Sequence, residues 1–216
     1  EKNRLVYDAR SRQTLPGILI RKESAAKSTD GVVNEAYDGS GDVYDFYKKV
    51  YGRNSVDSLG LTLKSTVHYG KKYDNAFWNG SQMVYGDGDG DLFGEFVDCI
   101  DVVGHELSHG VVQYEANLDY EGQPGALNES MADVFGSLLK QYKNSQTAKQ
   151  ADWLIGAGLF TSKVKGKALR SMKEPGTAYD DPVLGKDPQP GHMKDYIDTQ
   201  DDNGGVHLNS GIPNRA

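Results

Sequence analysis

Cysteine is almost absent: Cys99 is the only one in 216 residues. One thiol excludes an internal disulfide framework and a thiolate zinc site, both of which need several. Cys99 reads as a small buried apolar residue rather than a nucleophile. No apolar run approaches the roughly 20 residues of a membrane-spanning helix, so no membrane partner is expected. Positive charge is also scarce, with 24 Lys and Arg against 31 Asp and Glu and a net charge of −7. The basic residues are scattered, which argues against nucleic acid, whose binding rests on neutralised phosphates. The start, Glu1-Lys2-Asn3-Arg4-Leu5, lacks the apolar stretch of a signal peptide, though a processed start would look the same. Repeats and low-complexity tracts are missing too.

What is there is an ordinary globular composition, 37% hydrophobic and 25% charged, enough for one large or two modest domains. Up to about residue 85 the chain is glycine-rich and alternates like strands. Residues 17–21 and 63–69 are the best strand candidates. Between them, residues 43–51 carry apolar positions at helical spacing, with Gly52 as a stop. Asn79-Gly80 reads as a tight turn between Phe77-Trp78 and Met83-Val84-Tyr85. Residues 93–114 then follow a helical period. A second helix is expected over 125–142, with Leu127, Met131, Val134, Phe135 and Leu138 on its core side, and a third over 153–160. Residues 173–200, rich in Pro, Gly and Asp, read as a long irregular connection, of the kind that is usually functional or disordered. Strands first and helices after suggest an α+β fold: a β-rich N-terminal part followed by a helical, metal-binding part.

His105-Glu106-Leu107-Ser108-His109 is an H-E-x-x-H pattern on the first long helix. Four residues apart, the two imidazoles rise from one face and can grip one ion. Glu106 can reach a metal-activated water without being a ligand. The metzincin continuation needs Gly and His where Val112 and Glu115 stand, so that subclass is excluded. Glu129 lies beyond a Gly/Pro-containing turn that can fold the next helix back on the first. Asp133, one turn further, can accept the free ring N–H of a ligating histidine. Two His, one Glu and an open fourth position make a catalytic zinc site rather than a closed structural one.

His105-Glu106-x-x-His109 with Asn128-Glu129-x-x-x-Asp133 resembles the thermolysin family of neutral zinc peptidases, for which this ligand set is already known. Residues 75–80, 84–90, 169–172 and 204–211 occur in that family's order, and the 180–192 insertion looks most like its protealysin-like branch. The resemblance implies one zinc ion held by His105, His109 and Glu129, with Glu106 as general base. It implies His207 on the developing oxyanion, oriented by Asp202 and assisted by Tyr120. It implies Asn75, the backbone of Ala76, and Arg170 holding the peptide, with Asp133 behind the zinc ligands. Val102, Ile155 and Leu169 match the pocket for the residue after the cut, so a bulky apolar residue is expected there. A secreted, monomeric endopeptidase acting on proteins and peptides is implied, made as a zymogen with its own propeptide as inhibitor. The domain division expected is 1–113, a catalytic domain carrying the H-E-x-x-H helix, and 114–216, the start of a truncated C-terminal helical domain.

Two departures qualify the resemblance. Asp101 matches one carboxylate of the family's paired calcium site, but Lys140 and Ala157 stand where two others belong. An Asp101–Lys140 ion pair is therefore expected in place of the calcium. Asp87-Gly88-Asp89-Gly90-Asp91 suggests an EF-hand, yet position six is Leu92 and position twelve Asp98; a turn is the better reading. His68 and His192 have no partner pattern and read as structural or exposed. A non-catalytic binding module is disfavoured because Glu106 is retained. A calcium-dependent structural module is disfavoured by the failed loop pattern.

Overall fold

The structure, a computed structural model, describes residues 1–216. Strands β1 (Arg4–Asp8), β2 (Ile18–Lys22), β3 (Leu63–Val67), β4 (Ala76–Trp78) and β5 (Met83–Tyr85) form one sheet in the order β2-β1-β3-β5-β4. β1 and β3 are parallel, and α1 (Gly31–Tyr51) lies in the crossover that joins them. α1 starts where the Asp30 carboxylate accepts the N–H groups of Val32 and Val33, and it stops at Gly52, whose φ of 69° a side chain would resist. It is longer than residues 43–51 because its first half hides small residues in contacts. A Cβ on Gly39 would lie 3.3 Å from Val103.

A short 3₁₀ turn leads into α2 (Ile100–Glu115), and α3 (Gly122–Lys143) folds back against it. Two glycines permit the close approach. A Cβ on Gly136 would sit 2.4 Å from the Asp101 carbonyl oxygen, and one on Gly104 would sit 2.8 Å from Leu139. The expected core side of α3 holds in part: Phe135 and Leu138 are half-buried and pack against the core, whereas Leu127 and Met131 are exposed and Val134 is half-buried. The buried face instead carries small and polar residues, among them Ala126, Asn128, Glu129, Ala132, Asp133 and Gly136. The first two turns, which hold the polar site inward, turn Leu127 and Met131 to the outside, while Leu139 further along is buried.

The third helix expected over 153–160 does not form. Trp153, Gly156 and Gly158 take positive φ, and the segment gives only β6 (Leu154–Ile155), which pairs with β7 (Arg170–Ser171). Residues 173–200 are mostly irregular, as read, but contain a hairpin of β8 (Asp180–Asp181) and β9 (Gly185–Lys186) and a 3₁₀ turn. α4 (Asp202–Asn209) opens on left-handed residues, Asp202 to Gly205, before α5 (Gly211–Arg215). No helix is long and apolar enough to cross a membrane.

Asp89 accepts three successive amides, those of Asp91, Leu92 and Phe93, so the acidic loop is a turn. Lys140 lies 3.2 Å from Asp101, 3.0 Å from Asp152 and 3.1 Å from the Leu154 carbonyl. His68 is structural. Its ring bridges Asp87, 2.9 Å from Nδ1, and Asp30, 2.9 Å from Nε2, and so ties the start of α1 to the acidic loop.

Hydrogen bonding to Asp87 raises the His68 pKa from 6.5 to about 9, against burial and with help from Asp30. A folded-state pKa above the unfolded one adds stability at low pH and loses it as pH rises. Wild type should therefore exceed His68→Asn in melting temperature most below pH 6.5, and the difference should vanish above about pH 9; parallel melting curves across that range check it. Gly136→Ala should destabilise by about 1–3 kcal/mol through overpacking, read by denaturant unfolding.

Candidate metal centre and cleft

The ring Nε2 atoms of His105 and His109 lie 3.1 Å apart. Glu129 reaches them from α3, with Oε2 3.4 Å from His105 Nε2 and Oε1 3.3 Å from His109 Nε2. The far side of each ring is fixed. His105 Nδ1 is 2.8 Å from Asp133 Oδ1, which can only accept, and His109 Nδ1 is 2.8 Å from Asn128 Oδ1. Each Nδ1–H therefore donates outward, and both Nε2 atoms turn toward the same point. Glu129 Oε2 is buried and has no hydrogen-bond partner in the protein.

Those donors fit a divalent cation. Three ligand atoms from His105, His109 and Glu129 lie within 4.8 Å of one another, and a two-nitrogen, one-oxygen set suits zinc. The electrostatic field agrees. Burial disfavours charge on His105, but Glu129 and Asp133 outweigh it and raise its pKa to about 10. Burial would also push Glu129 and Asp133 up. Instead Glu129 is held well down by His105 and His109, and Asp133 by Arg170 and His105.

Around this cluster runs a cleft of about 700 Å³, within the size of ordinary ligand pockets. Glu106 lines it. Burial raises its pKa, and its Oε2 accepts the Trp78 N–H at 3.1 Å. β4 is an edge strand of the sheet. Its neighbours Asn75 and Asn79 make backbone bonds to Gly86 and Gln82, the residues that flank β5, so the backbones of Ala76 and Trp78 face the cleft. Asn75 lines the same wall, and its side chain accepts the Ala76 N–H at 3.0 Å.

His207 lines the same cleft, with its Nε2 3.5 Å from Glu129 Oε1. Its Nδ1 is 2.6 Å from Asp202 Oδ1, and its backbone N–H donates to Asp202 Oδ2 at 2.8 Å. The left-handed turn at 202–205 swings that carboxylate back; Asp and Asn tolerate the conformation better than most residues. Burial opposes charge on His207, but the Asp202 bond and the Glu129 field raise its pKa. Tyr120 Oη donates to Glu129 and lies 3.3 Å from His207 Nε2. Arg170 also lines the cleft, with its fork turned inward: Nε and Nη2 bond the two Asp133 oxygens at 2.8 and 2.7 Å.

Of the three pocket residues named from the resemblance, Val102 and Leu169 line the cleft. Ile155 is fully buried behind it, in the β6–β7 pairing. Two residues of this frame were missed. Asn128 was part of the motif read on α3, and its position beside Glu129 was an available signal. Asn214, whose amide donates to Asp133 Oδ2 at 2.8 Å from α5, had none.

Comparison with known proteins adds the family. The model of the thermolysin metallopeptidase catalytic domain matches residues 2–113, and that of the alpha-helical domain matches residues 116–216. An extracellular metalloprotease of Pectobacterium carotovorum is 58% identical over 216 residues, covering 100% of this chain and 62% of the relative. Protease PrtS of a Photorhabdus species is 55% identical, covering 99% of this chain and 58% of its own length. The chain thus spans about three-fifths of the length of these relatives. A solved structure of the precursor of protealysin, a metalloproteinase from Serratia proteamaculans, superposes with a TM-score of 0.97 at 61% identity, covering 100% of this chain and 67% of that one. With two matched domains and a histidine–glutamate cluster where the family pattern puts it, the chain belongs to the thermolysin metallopeptidase family.

Proposed function

We propose that this chain is the zinc-dependent peptide-hydrolysing part of an endopeptidase. The observation that carries the reading is the convergence of His105, His109 and Glu129 beside a buried Glu106 on an open cleft. His105, His109 and Glu129 would hold the ion. When bound, zinc supplies Lewis acidity, lowering the pKa of water toward about 7 and polarising a carbonyl. Glu106 would take the proton from water and pass it to the leaving nitrogen; its raised pKa suits a group that must both accept and release one. The Trp78 N–H holds that carboxylate against the wall of β4.

The other roles follow from placement. His207, turned by Asp202, and the Tyr120 hydroxyl lie on the side where an oxyanion would form, and such a donor is worth roughly 3 kcal/mol. The cleft-facing backbone of Ala76, with Asn75, offers an extended peptide a strand to pair with. Arg170 would act mainly through Asp133, keeping His105 in register, with its remaining nitrogen toward the cleft. Val102 and Leu169 support a preference for a bulky apolar residue after the cut. The boundary near residue 113 is supported by the junction of the two family models. Secretion is supported by the name of the Pectobacterium relative, and inhibition by a propeptide by the precursor form of the solved neighbour.

The test is casein or peptide hydrolysis by the zinc-loaded chain. A zinc chelator should abolish it, and Glu106→Ala should lower kcat by at least about a hundredfold while leaving bound zinc unchanged. Activity surviving either treatment would refute the reading.

At the family's calcium position, the Lys140 ammonium touches Asp101, Asp152 and the Leu154 carbonyl, and so supplies the positive charge there. This site should need no calcium. A calcium-selective chelator should leave the contribution of this site intact, whereas Lys140→Met should destabilise by about 3 kcal/mol by leaving Asp101 buried and unpaired. Calcium titrations followed by melting curves, run on both proteins, check it.

A further inference from the structure

Besides Val102 and Leu169, the cleft is lined by four aromatic rings in contact with one another. The Phe96 and Phe93 centroids are 5.9 Å apart, Phe93 and Phe160 5.5 Å, and Phe160 and Tyr179 5.8 Å. All four rings line the one cleft, and so does Leu184 from the turn of the β8–β9 hairpin. Rings in contact are often plain core. Here, however, Phe93, Phe160, Tyr179 and Leu184 keep partial exposure, while Val164, Ala168 and Ala178 are buried.

The hairpin that carries Leu184 is held stiffly. Asp181 accepts the amides of Val183 and Leu184 through one oxygen and that of Lys165 through the other. Asp187 accepts those of Gly176 and Ala178 through one oxygen and that of Gln189 through the other. A glycine permits the ring contact, since a Cβ on Gly166 would lie 2.7 Å from both Phe160 and Tyr179. The result is a prebuilt apolar wall with its backbone polar groups satisfied.

We propose that the β8–β9 hairpin builds a second apolar subsite, in which Phe160, Tyr179 and Leu184 receive a bulky apolar or aromatic side chain of the substrate. That side chain flanks the one in the Val102–Leu169 pocket, since both sets of residues line the same cleft. The proposal rests on the endopeptidase reading above and deepens it. An apolar side chain on such a wall discriminates by about tenfold or more against a small one.

The experiment uses the zinc-loaded chain and fluorogenic peptides with Phe, Leu or Ala at each position flanking the cut. Wild type should prefer Phe or Leu over Ala by about tenfold in kcat/KM at one such outer position. Leu184→Ala should collapse that ratio by slowing the Phe and Leu peptides far more than the Ala peptide, and a melting curve like that of wild type shows that the variant folds. Leu184→Lys should turn the preference toward acidic residues. Calorimetric binding of uncleaved product peptides bearing Phe or Ala should show the same loss of discrimination without turnover. A flat outer profile in wild type, an unchanged ratio in Leu184→Ala, or equal losses on all peptides overturns the subsite. Failure of the endopeptidase reading looks different: wild type would cut no peptide at all.

Discussion

Asp133 is fully buried and carries four hydrogen bonds: His105 Nδ1, two from the Arg170 fork, and the Asn214 amide. A buried carboxylate without such partners would cost several kcal/mol, so its position and theirs determine one another. Through it α2, β7 and α5 meet behind a single imidazole. The ring that would bind the metal is therefore oriented by residues far away in sequence, one of them within three residues of the last. The second ring is oriented in the same way by Asn128, next to Glu129 on α3. The metal-facing geometry is thus a consequence of how α3 is seated, and that seat depends on Gly104 and Gly136.

This explains which parts could be read in advance. Local chemistry was legible. His105, Glu106 and His109 share a helix, so their spacing alone puts two rings on one face, and the Asn128–Asp133 stretch carries its own helical period. The Asn79-Gly80 turn and the Gly52 stop are decided within a few residues. What depends on packing was not legible. The outward stripe of Leu127 and Met131 looks like a core face until the polar interior of α3 is seen. Ile155 has the right character for a pocket wall, but the β6–β7 pairing buries it. The first half of α1 carries Gly39, Ser40 and Gly41, weak helix formers that pack well, so its period was obscured. Asn214 gave no signal because nothing local makes an asparagine there bond a distant aspartate.

Arg170 shows how type and placement can differ. A guanidinium on a peptide-binding cleft reads as a substrate clamp, and two donors in a fork suit a carbonyl or carboxylate. In the folded chain that fork faces Asp133, and its charge is a main reason the carboxylate stays ionised despite burial. The larger contribution of Arg170 is then to the electrostatics behind His105.

The same device recurs elsewhere along the cleft. Asp181 and Asp187 organise the hairpin wall as Asp133 organises the ligands, each gathering donors that would otherwise be left without partners. The two regions also touch: Gln189, whose own amide is held by Asp187, donates to the His207 carbonyl at 2.6 Å and to Ser210. Donors aimed at a developing charge act only if they are fixed before the reaction, and His207 is fixed partly by the segment that carries the apolar wall. In the proposed reaction, selectivity and oxyanion placement would therefore share one frame. A change in the length of the hairpin would be felt at His207 as well as in the pocket, whereas trimming Leu184 alone leaves the backbone bonds, and so the frame, in place.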